Sequence, residues 1–151
     1  MNGNSAEWAI FSKLVREKLS ESGLRVTGSR LNVAKALFLA DRPINAYALH
    51  ASITESGQKI DVVSVYRSLQ VMVELGLAHY IHAGEGYQAC TIGGHTHDFS
   101  EHAVCQDCGK VTELNVPLCA TEDFASQLAE LGFQPHHMRI EIEGRCADCV
   151  R

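Results

Sequence analysis

An α+β chain in two units is predicted by three observations. Helical periodicity runs through residues 5–76, alternating strand patterns replace it afterwards, and formal charge divides near the same point. Residues 1–84 carry nine Lys/Arg against seven Asp/Glu, a net of +2, whereas residues 85–151 carry four against eleven, a net of −7. The first unit is thus able to approach a phosphate backbone, and the second is stocked with metal-binding oxygens. The hinge-like stretch Ala83–Gly86 divides them into residues 1–84 and 85–151. With 46% hydrophobic residues the chain has enough apolar content for a packed core. No apolar run approaches the roughly 20 residues needed to span a bilayer, so no membrane partner is expected. The N-terminus lacks a basic segment followed by an apolar stretch, which makes the cytoplasm the expected compartment.

In the first helix, over residues 5–22, Trp8, Phe11, Val15 and Leu19 recur at helical spacing before Gly23 stops it. Thr27 caps a second, with Leu31, Ala34, Leu37 and Phe38 facing inward, and Arg42-Pro43 breaks it. Asn45 caps a short third helix that ends at Glu55-Ser56-Gly57. Asp61 opens a fourth, with Val65, Leu69, Met72 and Val73 as its buried stripe and Gly76 at its end. LAHYIHA and YQAC then read as two short strands around Gly84-Glu85-Gly86. Helices followed by a hairpin is the order of a winged helix-turn-helix, and equally of a helical bundle carrying a hairpin. In the second unit, HAVC and KVTEL pair across Asp107 to Gly109. Thr121 caps a helix with Phe124, Leu128 and Leu131 on one face. MRIEIEG alternates as a half-exposed strand. So small an α/β unit needs a staple.

The cysteines offer one. Cys105 and Cys108 stand two residues apart, as do Cys146 and Cys149, with 37 residues between the pairs. Double pairs of this spacing suit a tetrahedral thiolate zinc site, which would pin the last strand to the sheet. A redox pair or two disulfides is the competing reading, weakened by the absent export signal and the lack of a βαβ context. Cys119 has no partner at ligand spacing and reads as an apolar filler.

Other ligand-type residues cluster near the junction: His79, His82, Cys90, His95, His97, Asp98, Glu101, His102 and Glu113. Each taken singly has an ordinary reading as a surface or core side chain. Together, His79, Cys90, one histidine of GGHTH and Glu113 form a mixed imidazole, thiolate and carboxylate set that suits Zn²⁺ and not Mg²⁺ or Ca²⁺. A site drawn from both sides of a hinge fixes the angle between the units when filled. That is the property of a sensor.

At these residues the chain resembles the ferric uptake regulator superfamily, most closely its zinc-sensing branch, the zinc uptake regulators. RVTGSRLNVAKAL, INAYALH, SVYRSLQVMVELGLA, HAVCQDCGKVTEL and CADC carry the resemblance, which covers nearly the whole chain. It implies an N-terminal winged helix-turn-helix DNA-binding domain and a small α/β dimerisation domain. It also implies a homodimeric repressor that binds palindromic double-stranded operators of metal-uptake genes when loaded. Residue by residue, Cys105, Cys108, Cys146 and Cys149 match a structural zinc site. His79, Cys90 and Glu113 match the regulatory zinc site, with His97, and after it His95, as the completing ligand. His102 stands where several members place a metal-binding histidine. Gly28 stands where the family often has proline, and Val63-Ser64 where it often has Pro-Thr or Pro-Ser, which leaves the role of Ser64 intact. His136 or His137 could belong to an additional metal site, whose full ligand set is not found.

In the same resemblance, Arg67 reads a base, the bidentate guanine contact being its natural role. Tyr66 packs on a thymine methyl or bonds a phosphate, unless it is a core residue. Ser64 faces DNA, and Lys59, Arg30 and Tyr47 touch phosphate and set register. The implied alternative within the superfamily is an iron- or peroxide-sensing regulator. A zinc hydrolase would need an open zinc position, a general base and a cleft. No HExxH-type helix or nucleophile motif is present, so neither enzyme activity nor a small-molecule substrate is expected. A zinc-stabilised interaction module explains the four cysteines but leaves the Cys90 group without a purpose.

Overall fold

The computed structural model describes residues 5–90, 99–114 and 120–150. Four helices come first: α1 (Ser5–Glu21), α2 (Gly28–Leu39), α3 (Ala46–Glu55) and α4 (Val62–Glu74). The expected caps start three of them. Thr27 Oγ1 accepts from the Arg30 N–H at 3.3 Å, Asn45 Oδ1 from Ala48 at 2.9 Å, and Asp61 Oδ1 from Ser64 at 2.9 Å. Gly23, Gly57 and Gly76 close α1, α3 and α4 at φ of 69°, 86° and 65°, where a side chain would be strained. The helices bury one core of Phe11, Val15, Leu19, Val33, Leu37, Leu49, Ile53, Val65, Leu69 and Met72. Phe38 stacks on Phe11 at 5.3 Å and Trp8 tilts against both.

A hairpin follows. β1 (Ala78–Ile81) and β2 (Gly86–Ala89) pair antiparallel, from Ala78 opposite Ala89 to Ile81 opposite Gly86. The expected boundary between residues 84 and 85 falls within the turn that joins these paired strands. Both glycines of that turn serve a different purpose from the one the sequence suggests. The left-handed residue is Glu85, at φ 47°. Gly84 and Gly86 instead admit the chain before α3: a Cβ on Gly86 would lie 2.7 Å from Ile44 N, and one on Gly84 2.7 Å from Pro43 Cγ. Ile44 forms an antiparallel bridge with Tyr87 through hydrogen bonds of 2.9 and 2.8 Å. The hairpin is thereby joined to the segment that enters α3.

The second unit is a three-stranded sheet in the order β4–β3–β5, built from β3 (Phe99–Cys105), β4 (Val111–Glu113) and β5 (Met138–Gly144). β4 runs antiparallel to β3, and β5 parallel to it after the crossover helix α5 (Ala120–Glu130). That helix begins one residue ahead of Thr121, which therefore lies in its first turn and is not its cap. Cys119, His95, His97 and Asp98 fall outside the described residues. Ile81 of the hairpin packs with Val104 and Val111 of the second sheet, giving the two units an apolar contact. Among the described residues no helix is long and apolar enough to cross a membrane.

Candidate metal centre and nucleic-acid interface

The β3–β4 turn carries Cys105 and Cys108, and Gly109 at φ 71° bends the chain so that both sulfurs face one point. Cys146 and Cys149 reach the same point from the turn after β5. All four sulfurs lie within 4.8 Å of one another. Cys108 Sγ and Cys146 Sγ are 3.7 Å apart, and none of the five described cysteines is in a disulfide. Zinc–sulfur bonds of about 2.3 Å in a tetrahedron give a sulfur–sulfur edge of about 3.8 Å, so the four thiols fit a zinc ion. Their titration also calls for a cation. The Cys146 and Cys108 backbone N–H groups pull the Cys105 thiol down to about 6. Side-chain hydrogen bonding to Cys146 and Cys108 pushes Cys149 up to about 12. Such crowded thiolates cannot all ionise without a counter-charge. Arg145 braces the cluster from outside, its Nε donating to Asp107 at 2.5 Å and its Nη2 to the Cys149 carbonyl at 2.7 Å.

A second group lies where the units meet. His79 projects from β1, Cys90 follows β2, and Glu113 ends β4, so the first two come from the hairpin and the third from the second sheet. Glu113 Oε1 lies 3.0 Å from His79 Nε2 and 3.3 Å from Cys90 Sγ, and the ligand atoms of all three fall within 4.8 Å. His79 and Glu113 are largely enclosed and Cys90 is buried. Nitrogen, thiolate and carboxylate together fit zinc, which binds all three at about 2.0–2.3 Å. His102 sits one layer back. Its ring meets that of His79 edge-on at 4.7 Å, and it is outside the three-residue set. Burial, then the neighbouring His79, lowers its pKa to about 4, so the ring is neutral at physiological pH. His102 Nδ1 is buried without a hydrogen-bond partner among the described residues, as is Glu101 Oε1. His136 and His137 are exposed and join no metal-type group among the described residues.

The hairpin tip holds contacts that the sequence did not disclose. Glu141 on β5 accepts from the backbone N–H groups of His82 and Ala83, at 2.9 Å each. Arg139 meets the His82 ring. Burial works against charge on Glu141, but the two backbone donors, with His82 and Arg139, outweigh it and hold its carboxyl below the usual range. The alternation of MRIEIEG marks both residues only as polar positions of a strand. Nothing in the sequence signals a carboxylate facing backbone donors 58 and 59 residues away.

On the first unit, α4 buries Val65, Ser68, Leu69 and Met72 and turns Val63, Tyr66, Arg67 and Gln70 to solvent. Tyr66 is 38% exposed and meets the ring of the exposed Tyr47 edge-on at 5.9 Å, which excludes the core reading. Lys59 and Ser64 line one polar recess with Ser29, Gln58 and Asp61. The Ser64 hydroxyl donates to Asp61 Oδ2 at 2.6 Å, and the Arg30 guanidinium donates to the Arg25 carbonyl at 2.5 Å. His50, absent from the sequence reading, donates from its ring to the Ile60 carbonyl at 2.9 Å and sets α3 against the approach to α4.

The fold is shared with known proteins. Residues 21–143 match the model of the ferric uptake regulator family. The chain belongs to that family. Family members are DNA-binding transcriptional regulators, and the chain is a regulator and not an enzyme. It is 33% identical over 135 residues to the zinc uptake regulation protein of Mycobacterium tuberculosis, covering 87% of this chain and 98% of that one. A zinc uptake regulator solved with zinc and DNA superposes with a TM-score of 0.85 at 27% identity, over 97% of each chain. The holo form of XcZur superposes at 0.81 with 28% identity, covering 93% of this chain and 96% of that one, whereas its apo form reaches 0.53. The arrangement of units seen here is therefore nearer that protein's holo form than its apo form.

Proposed function

We propose that this family member is a zinc-responsive transcriptional repressor. It acts as a homodimer on palindromic operators of metal-uptake genes, in the cytoplasm. The observation that carries the proposal is the meeting of His79, Cys90 and Glu113 across the two units. A thiolate in that set favours zinc over the iron and peroxide chemistry of other branches. In this reading Cys105, Cys108, Cys146 and Cys149 hold a structural zinc. His79, Cys90 and Glu113 hold the regulatory one, with His97 completing it and His102 backing it. Zinc supplies a cationic centre there, offsetting the thiolate and carboxylate charge and tying the hairpin to the second sheet.

The chain's own residues do the rest. Arg67 and Tyr66 face bases from the exposed side of α4. Tyr47, Lys59, Arg30 and Ser64 set the register on phosphate. The second unit leaves Phe124, Leu131, Phe133, Ile142 and Val150 exposed, an apolar surface suited to a second copy of the chain. Pairing of β2 with β1 supports a unit boundary after Cys90, with the hairpin belonging wholly to the DNA-binding unit.

The test is operator affinity against free zinc, with the four-cysteine site kept filled. Coupling of about 5- to 150-fold is expected in the native protein, and loss of it in Cys90→Ser. Operator binding that ignores zinc in the native protein would refute the sensor reading.

A further inference from the structure

Besides the apolar packing of Ile81 on Val104 and Val111, the hairpin makes polar contacts with the second sheet at two places. At its root, His79 and Cys90 meet Glu113. At its tip, the His82 and Ala83 N–H groups meet the two oxygens of Glu141. The sheet register ties these contacts together. His102 on β3 is the partner of Glu113 on β4 and also of Glu141 on β5. Glu113, His102 and Glu141 thus form one row across the order β4–β3–β5, with their side chains on one face. Strands lie about 4.8 Å apart, so the two carboxylates of the row stand about 10 Å from each other. His102 fills the middle and packs against His79.

A single point of attachment leaves one body free to rotate about it. Two points about 10 Å apart remove most of that freedom. The root contact, metal included, and the non-directional apolar packing of Ile81 hold the hairpin to the sheet but set its angle only loosely. The tip contact sets the angle and uses no metal. Its donors are backbone amides and its acceptor is the Glu141 carboxylate, with Arg139 meeting the His82 ring beside it.

We propose that Glu141 is a positioning residue of the metal response: a carboxylate catch that, with the filled His79–Cys90–Glu113 site, fixes the angle of the DNA-binding unit. This rests on the sensor reading given above. Glu141 is outside the His79–Cys90–Glu113 group and outside the residues proposed to meet DNA. It works by restricting the orientations that the filled site allows, and so governs how much of the zinc binding energy reaches the operator.

The experiment uses the full-length chain with its four-cysteine site filled. Operator affinity is measured at saturating zinc and with the regulatory site empty, for the native protein, Glu141→Ala and Glu141→Gln. Glu141→Gln has the same size and supplies a fold-preserving variant should the alanine form be unstable. In the same pose its NH2 replaces one of the two accepting oxygens and faces one of the N–H groups donor to donor. The ratio of the two affinities is expected to fall about 2- to 30-fold in both variants, with the zinc-free affinity unchanged. A ratio equal to the native one overturns the proposal. So does an equal loss in both metal states, which would make Glu141 merely structural. A native protein with no zinc dependence instead removes the sensor reading on which the proposal stands, so the two failures are told apart.

Discussion

Replacing Arg67 by alanine tests the assignment of α4 as the base-reading helix. Arg67 lies on the exposed stripe with Val63, Tyr66 and Gln70, opposite buried Val65, Leu69 and Met72. Among the described residues it takes part in no ion pair, so the fold loses nothing when it is shortened. Stability should stay within about 0.5 kcal/mol of native, as for most surface changes. The effect on DNA should be large. A bidentate guanine contact discriminates by about 1–3 kcal/mol, and a symmetric dimer presents two of them. The combined loss is about 2–6 kcal/mol, or about 30- to 20,000-fold in operator affinity. The assay is fluorescence anisotropy of zinc-loaded protein on a duplex selected from a random pool, beside a scrambled duplex, over a range of salt. Affinity for the selected duplex should collapse toward the scrambled value while the salt slope holds. An equal loss on both duplexes, with the slope reduced by about 1 per subunit, would make Arg67 a phosphate contact and refute the reasoning.

Lys59→Ala should do the reverse, weakening both duplexes alike and lowering the salt slope by about 1 per subunit in the same titration. Cys146→Ser should release the last turn, and limited proteolysis should then cut after β5 in a chain that the native protein protects until a strong chelator is added. Asn45→Ala removes the acceptor for the Ala48 N–H and should cost about 1 kcal/mol in urea unfolding. Gly86→Ala drives a Cβ to within 2.8 Å of the Ile44 backbone. Overpacking of that kind costs about 1–3 kcal/mol, and a native-like urea midpoint would contradict the close approach described for the hairpin.

How much of this was legible in the sequence varied with how local its cause is. Thr27, Asn45 and Asp61 cap helices through bonds to residues three places ahead, and a linear reading finds them. Two cysteine pairs at ligand spacing likewise declared themselves. The glycines of the hairpin turn were misleading in kind. They make room for Pro43 and Ile44, some 40 residues earlier in the chain, and leave the left-handed position to Glu85. β5 was the hardest case. Its alternation reads as apolar-in and polar-out, yet the side bearing Glu141 meets the hairpin while Ile142 is 50% exposed. Polarity patterning assumes a dry interface, and here carboxylates, imidazoles and backbone amides flank the apolar contact of Ile81 with Val104 and Val111. His79, Cys90 and Glu113 were legible as residue types near a junction, but their convergence depends on pairings the sequence does not spell out.

The Ile44–Tyr87 bridge has a mechanical result. Because it stitches the wing to the entry of α3, and His50 ties α3 to the approach of α4, the wing cannot pivot without carrying α4 along. There is little backlash between the proposed regulatory metal site and the side chains proposed to meet the double helix. On that proposal, a substitution that slackened this joint would dull the response while leaving every proposed ligand and DNA contact in place.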